Sequence, residues 1–172
     1  EGFKAKGINV LICDEEIDTI VLPMVNEFDS TAFKSINSSD IDSEIDSTQN
    51  SSNDETNALI VKIKEILKDE VKDVKISNRL SDSVSCLIYD KNDLDYAMQS
   101  LLKQMGQEAP KIKPILEINP NHEIITKLAN NELMINDVAI LILNMAKISE
   151  GITIENPSEF SSKLAKIISK AL

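Results

Sequence analysis

Hydrophobic positions are densest in the last third of the chain, where they follow helical spacing. Nine of the eleven residues in Val138–Ile148 are apolar, and only Asn144 and Lys147 interrupt the run. A helix that is apolar on nearly every side must be covered on more than one side. The pattern therefore predicts a helix over 136–149 that packs against several neighbours.

The final segment has the pattern of an amphipathic helix. Its apolar stripe is spaced i, i+4, i+7, i+8 and i+12 and consists of Phe160, Leu164, Ile167, Ile168 and Leu172. The stripe follows a predicted helix start, in which Asn156 is the N-cap and Pro157 lies in the first turn. Glu159 is the acid of a capping box, whose side chain bonds back to the N-cap residue. Two such helices carry surplus apolar surface, which suggests self-association. We predict a homodimer interface in which this stripe is joined by residues of the preceding helix, namely Leu141, Met145 and Ile148.

Shorter patterns upstream predict an α+β fold, a small sheet with flanking helices. Runs rich in β-branched residues predict three strands of one sheet, at 74–76, 85–89 and 115–118. Helices are predicted before and between these strands, at 14–25, 55–69 and 92–105. We expect Pro23 to end or kink the first helix, and Asn92 to cap the third. A further helix is predicted to start at Asn119, with Pro120 in its first position, and residues 8–12 to form a short buried strand.

Residues 34–57 differ in character from the rest of the chain. They include seven Ser, four Asn, four Asp and two Glu, with no Gly, Pro or aromatic residue. Such a stretch is too polar to bury a core. We therefore predict an acidic, flexible linker at 37–54 that separates a first part, 1–36, from a second part, 55–172.

Charge and composition narrow the classes of function. The net charge of −11 argues against a nucleic-acid partner, which needs clustered Lys and Arg, and no apolar run is as long as a membrane span. Cys13 and Cys86 lack metal-ligand spacing, and none of the four glycines builds a phosphate-binding loop. The single histidine, His122, has no Cys or acidic neighbour at ligand spacing. We predict a structural role for it, and no catalytic, cofactor or metal site.

Several short segments carry a family resemblance through their order and spacing. In the first part they are Lys6-Gly7-Ile8-Asn9-Val10-Leu11 and Glu27-Phe28-Asp29. In the second part they are Val71-Lys72-Asp73-Val74, Ser77-Asn78-Arg79-Leu80 and Leu116-Glu117-Ile118-Asn119-Pro120-Asn121-His122. Together they resemble the ninety-kilodalton heat-shock chaperone family, in particular its bacterial high-temperature protein G type, over the whole chain except the linker.

The resemblance implies an architecture and a location. It makes 1–36 the end of a chaperone middle domain and 55–172 a C-terminal homodimerisation domain. In this family the last two helices of each chain pair into an intermolecular four-helix bundle. The ATPase lies in a separate N-terminal domain, so ATP and Mg²⁺ are expected for the full-length parent and no enzymatic activity or cofactor for this chain. A bacterial cytoplasmic location fits.

A second apolar stripe lies within the helix predicted at 92–105. It is spaced i, i+4, i+7, i+8 and i+11 and consists of Leu94, Met98, Leu101, Leu102 and Met105. Periodicity alone favours a core face. The resemblance implies instead a protruding helix that contacts unfolded or partly folded client proteins, and flexible thioethers suit varied apolar partners. We predict a partly exposed, client-binding stripe.

Two functions remain open at this point. The first is a homodimerisation and client-contacting module of an ATP-dependent protein-folding chaperone, whose partners are a second copy and client proteins rather than nucleic acid or membrane. The alternative is a non-catalytic acidic adaptor that docks another protein through its C-terminal apolar helices. A symmetric homodimer of the isolated chain would distinguish them.

Overall fold

A computed structural model describes residues 3, 7–13, 15, 17–39, 41 and 53–171. Within these residues a short first part is followed by a larger second part. The first part contains α1 (Asp18–Val25), β1 (Glu27–Phe28) and β2 (Thr31–Ala32). The second part contains α2 (Asp54–Leu67), β3 (Asp73–Ile76), β4 (Ser85–Ile88), α3 (Tyr96–Gln104), β5 (Ile115–Ile118), α4 (Glu123–Ala129), a 3-10 turn (Glu132–Met134), α5 (Ile135–Ser149) and α6 (Pro157–Ala171). The predicted α+β class is confirmed.

The sheet of the second part has three strands, with β5 in the centre. β5 pairs in parallel with β3, with Asp73 beside Ile115, and antiparallel with β4, with Ser85 beside Ile118. All four residues of β5 are buried. A central strand covered on both faces reads as a nearly continuous apolar run, which is why its bounds could be predicted. The short β1–β2 hairpin forms a separate sheet.

The main core lies between one face of this sheet and three helices. Leu116 and Ile118 of β5 pack with Ile63 of α2, Ile125 of α4 and Ile142 of α5 in one buried cluster. Each such side chain contributes roughly 1.5–3 kcal/mol through removal of apolar area from water. The core is therefore aliphatic, as the low aromatic content requires.

Helix α5 is covered over a wide arc, as its sequence predicts. Its consecutive residues Leu141, Ile142 and Leu143 are all buried. Neighbouring helical residues are about 100° apart, so three in a row span about 200° of the helix surface. The sheet covers part of this arc, and α2 and α6 also contact the helix.

Two predicted helix starts are wrong. Helix α3 is capped by Asp95, whose carboxylate accepts a hydrogen bond from the Met98 amide at 2.9 Å, so the helix begins four residues after Asn92. Helix α4 is capped by His122, whose Nδ1 accepts from the Ile124 amide at 3.1 Å. The structural role predicted for His122 is thus confirmed.

Asn119 does not cap α4, because its side chain serves a longer-range contact. The Asn119 amide group donates to the Ser81 carbonyl at 2.9 Å and to the Ser83 carbonyl at 3.2 Å. Its side-chain oxygen accepts from the Asn121 amide at 3.0 Å. Asn119 therefore ties the loop before β4 to the end of β5, and Pro120 lies in a turn rather than in the first position of the helix.

The buried strand predicted at 8–12 is also wrong. These residues are irregular, and Ile12 is 90% exposed. Among the described residues no strand lies beside them, and a strand needs a neighbour for its main-chain hydrogen bonds. Helix α1 starts at Asp18 and continues past Pro23 to Val25, where Asn26 adopts a left-handed conformation (φ 45°).

The start of the linker predicted at 37–54 is hydrogen-bonded to the second part. The Tyr89 amide donates to the Asn37 carbonyl at 2.8 Å, and the Ser39 amide donates to the Tyr89 carbonyl at 2.9 Å. At the other end, Asn53 caps α2 by accepting from the Thr56 amide at 2.8 Å. Residues 40 and 42–52 lie outside the described part of the chain, and the linker there stays a prediction.

Candidate interaction surfaces

Helix α6 is the least covered helix of the second part. None of its described side chains is buried: Phe160 and Ile167 are half-buried, Leu164 is 40% exposed and Ile168 is 50% exposed. The helix starts as predicted, since the Asn156 side chain accepts from the Glu159 amide at 3.2 Å. The apolar stripe of this fifteen-residue amphipathic helix is therefore only partly covered.

Two ion pairs orient α6 against α5. Asp137, in the first turn of α5, lies 3.5 Å from Lys163 Nζ and 2.5 Å from Lys166 Nζ. The hydrogen bond from Lys166 lowers the pKa of Asp137 below its usual value. These pairs join the first turn of α5 to the middle of α6.

The residues of α5 predicted to meet a partner divide into two groups. Met145 and Ile148 are exposed, like Leu164 and Ile168 on the neighbouring α6. Leu141 is only 5% exposed within the single chain, so it offers a partner little surface while this packing persists. Leu172 lies outside the described residues.

The stripe predicted to bind clients is not a core face. None of its five residues is buried: Leu94, Met98, Leu101 and Leu102 are half-buried, and Met105 is 62% exposed. The one buried residue of α3 is the polar Gln99, whose side chain donates to the Leu94 carbonyl at 2.8 Å. The helix contacts α1 of the first part.

A buried charged pair lies on the sheet face opposite the main core. Glu117 and Arg79 have side chains that are 1% and 4% exposed, and Glu117 Oε2 lies 3.0 Å from Arg79 Nε. The Ser77 hydroxyl donates to the same carboxylate oxygen at 2.8 Å. Sequence reasoning used these residues only as parts of family motifs. The feature of the sequence that could have indicated a buried charged pair is the single acidic residue within the apolar strand Ile-Leu-Glu-Ile.

Cys86 lies across from Glu117 in the strand register, with its Sγ 3.9 Å from the carboxylate. Burial, together with the charge of Glu117, raises the pKa of the Cys86 thiol far above its ordinary value. A thiol must ionise to act as a nucleophile or metal ligand. The structure therefore disfavours the reactive thiolate form of Cys86 at neutral pH.

An open cleft of about 440 Å³ separates the first part from the loop after β4. Its lining includes Lys34, Asn37, Tyr89 and Asp95. Nearby, Glu150 accepts a hydrogen bond from the Asn37 side chain at 3.1 Å. Burial and the neighbouring charge of Asp95 raise the pKa of Glu150, and burial raises the pKa of Tyr89 to about 12. These groups therefore stay protonated more readily than they would in water.

Two classes of site receive no support from the described residues. In the ranges that the structure describes, no group of three His, Cys, Asp or Glu side chains is arranged to hold a metal ion. No helix in those ranges is both long and apolar enough to cross a membrane.

Comparisons with known proteins assign the family. The family model described as "Hsp90 protein" matches residues 1–172. A Campylobacter jejuni protein named "Chaperone protein HtpG" is 52% identical over 99% of this chain and 27% of its own length. Proteins of the same name from Sulfurovum sp. and Borrelia garinii are 43% and 36% identical, each over 28% of its own length.

This chain therefore spans little more than a quarter of the length of the relatives that it matches. The match nevertheless covers nearly all of this chain in each case. The resemblance inferred from its short segments is confirmed: the chain belongs to the Hsp90 protein family.

Proposed function

We propose that this chain is the homodimerisation and client-contacting module of a protein-folding chaperone. The observation that carries the proposal is α6, an amphipathic helix with no buried side chain among its described residues. Such a helix is stable when its apolar stripe packs against another surface. The relatives that share this sequence are named as chaperones, which supports the chaperone role.

A second copy of the chain is the proposed partner of α5 and α6. In a two-fold interface the same patch from each copy meets itself, so two helices from each chain make four. Met145, Ile148, Leu164 and Ile168 supply the exposed apolar surface. Lysines 163, 166 and 170 lie on the same helix, so the repulsion expected from a net charge of −11 is weakest there. We infer an intermolecular four-helix bundle.

Helix α3 is the proposed contact for unfolded or partly folded clients. Its stripe combines half-buried leucines with the exposed thioether of Met105, and its half-buried Met98 adds a second flexible side chain. ATP, Mg²⁺ and ATP hydrolysis belong in this proposal to other parts of a longer protein, which would act in the bacterial cytoplasm.

Light scattering after size exclusion tests the dimer. The chain should elute at twice its mass of 19.1 kDa. The double variant Leu164→Glu/Ile168→Glu should elute at the single-chain mass, because four charges would have to be buried per dimer. A matched control is Val61→Glu, which changes an exposed apolar residue of α2 and should leave the dimer intact.

A wild-type chain at single-chain mass would contradict the proposal and favour the acidic adaptor. The same holds for a charged double variant that remains a tight dimer, since it would exclude α6 from the interface.

A further inference from the structure

The outer edge of β4 continues into a contact with the segment that leads out of the first part. Residues 36–39, here called the strap, run parallel to this edge, with Ser38 bridged to Tyr89. Two main-chain hydrogen bonds join them, from the Tyr89 amide to Asn37 and from Ser39 to the Tyr89 carbonyl. An open sheet edge presents unpaired main-chain groups, and the strap pairs with this edge at Tyr89, directly after β4.

Arg79 holds the opposite side of the strap. Its Nη1 donates to the Ile36 carbonyl at 2.5 Å, and its Nη1 and Nη2 both lie 3.3 Å from the Ser38 carbonyl. The strap consists of a turn at residues 36 and 37 followed by the bridge at Ser38. The carbonyls of 36 and 38 face Arg79, while the Asn37 carbonyl accepts from the Tyr89 amide. The forked guanidinium group, with its several fixed donors, suits two carbonyls spaced in this way.

Glu117 fixes Arg79 from the centre of the sheet. The two side chains form the buried pair described above, and Ser77 adds a hydrogen bond to the same carboxylate oxygen. A line of polar contacts thus runs from the central strand through Arg79 to the strap. Side-chain contacts reinforce it, because the Ser39 hydroxyl donates to Asp90 at 3.2 Å and the Asn37 amide donates to Glu150.

The strap itself contributes no buried side chain. Ile36 is exposed, and the other three residues are half-buried. Hydrogen bonds therefore hold the strap in place, with little help from apolar burial. Such a contact depends on direction and can open without disrupting the core, since local opening needs less free energy where few apolar contacts are lost.

We propose that Arg79 clasps the strap to the edge of β4 and so sets how the first part of the chain joins the sheet. Glu117 is the positioning residue for this clasp. A change in the strap would be transmitted to the central strand through Arg79. The inference goes beyond the proposed function and does not depend on dimerisation or client binding.

Hydrogen exchange of single amides in the 172-residue chain tests the clasp. The variant Arg79→Met/Glu117→Gln removes both charges and keeps an acceptor for Ser77, so no buried ion is left unpaired. The Tyr89 and Ser39 amides donate the two main-chain hydrogen bonds between the strap and Tyr89. In this variant both amides should exchange roughly tenfold faster or more. The Lys72 and Asn119 amides, which bond to Pro114 and Val84 in the sheet region, should be unchanged.

Two further variants complete the test. Arg79→Lys keeps a cation beside Glu117 but cannot span both carbonyls, so it should also speed exchange at Tyr89 and Ser39. Lys64→Met removes the exposed pair with Asp73 and should change none of the four amides. Unchanged exchange at Tyr89 and Ser39 in either Arg79 variant would overturn the clasp. Equal acceleration of all four amides would also overturn it, because Arg79 would then only stabilise the core.

Discussion

Helices α5 and α6 have the same length and lie side by side, yet the rest of the chain buries them to different extents. Each has fifteen residues, but α5 buries six side chains and the described part of α6 buries none. The apolar run of α5 lies between the sheet and other helices. Among the described elements, α5 is the one large neighbour of the single stripe of α6. Apolar periodicity shows that a face must be covered, but it does not show which chain covers it.

The difference divides the apolar residues of the second part into a closed set and an open set. Residues of the closed set, such as Ile142, have all their neighbours within the chain. Those of the open set, such as Ile168 and Met105, retain exposed surface. Substitutions in the closed set should change the free energy of unfolding of the chain itself. Substitutions in the open set should change association.

The largest effect is expected in the closed set. Ile142→Ala should lower the free energy of unfolding by about 2–5 kcal/mol, because it leaves a cavity among side chains of the sheet and α2. Urea unfolding measures this loss. On the same helix the exposed Ser149→Ala should change stability by no more than about 0.5 kcal/mol. Similar losses for the two variants would remove the distinction between the sets.

The next effect concerns α6 and protein concentration. If a second copy covers the open stripe, each tenfold rise in concentration should stabilise the folded dimer by about 1.4 kcal/mol. The melting temperature of the wild-type chain should therefore rise with concentration. That of Leu164→Glu/Ile168→Glu should not, while Val61→Glu should behave as wild type. A wild-type melting temperature that is independent of concentration would contradict the dimer and show that α6 functions within a single chain.

A smaller effect is expected at Glu150, directly after α5. Because its pKa is raised above the ordinary value of 4.5, the folded chain binds this proton more tightly than the unfolded chain. The contribution of Glu150 to stability therefore improves as pH falls from the folded pKa towards 4.5. Glu150→Gln, which resembles the protonated form, should stabilise the chain at pH 7.

The stabilising effect of Glu150→Gln should shrink as the pH approaches 4.5. Thermal melting of the wild type and of Glu150→Gln across pH 4.5–7 measures the difference in stability between them. The other titratable groups are the same in both proteins, so their contributions cancel in this difference. A Gln variant that is less stable at pH 7 would show that the charged form of Glu150 is the favoured one, held by its bond from Asn37.

The smallest change in stability is expected on α3. Met105→Ser should alter the free energy of unfolding by no more than about 0.5 kcal/mol, because the side chain is already largely exposed. It should nevertheless weaken binding of a chemically denatured client, measured by fluorescence anisotropy. Met24→Ser on α1 removes a similarly exposed methionine and should leave client binding unchanged. Equal losses of binding in both variants would exclude a specific role for the α3 stripe.

Local periodicity accounts for most of the elements that the sequence predicted correctly. The run Ile115–Ile118, the apolar face of α2 and the stripe of α6 all depend on neighbours within a few residues. Helix starts were less predictable where two candidate caps compete. The Asn119 side chain donates to the Ser81 and Ser83 carbonyls, almost forty residues earlier, and therefore does not cap α4. His122 caps this helix instead. Such long-range competition cannot be read from spacing.

The sequence by itself determined the α+β class and the presence of two surplus apolar stripes, because each follows from composition or short-range pattern. Its short motifs also carried the family resemblance. Only the tertiary structure decided which apolar residues remain open, as Leu141 and Ile168 show. It also brought Glu117 to Arg79, and Arg79 to the strap carbonyls more than forty residues earlier in the chain. The burial of a side chain and the pairing of distant groups depend on how the elements pack, and no local pattern records that packing.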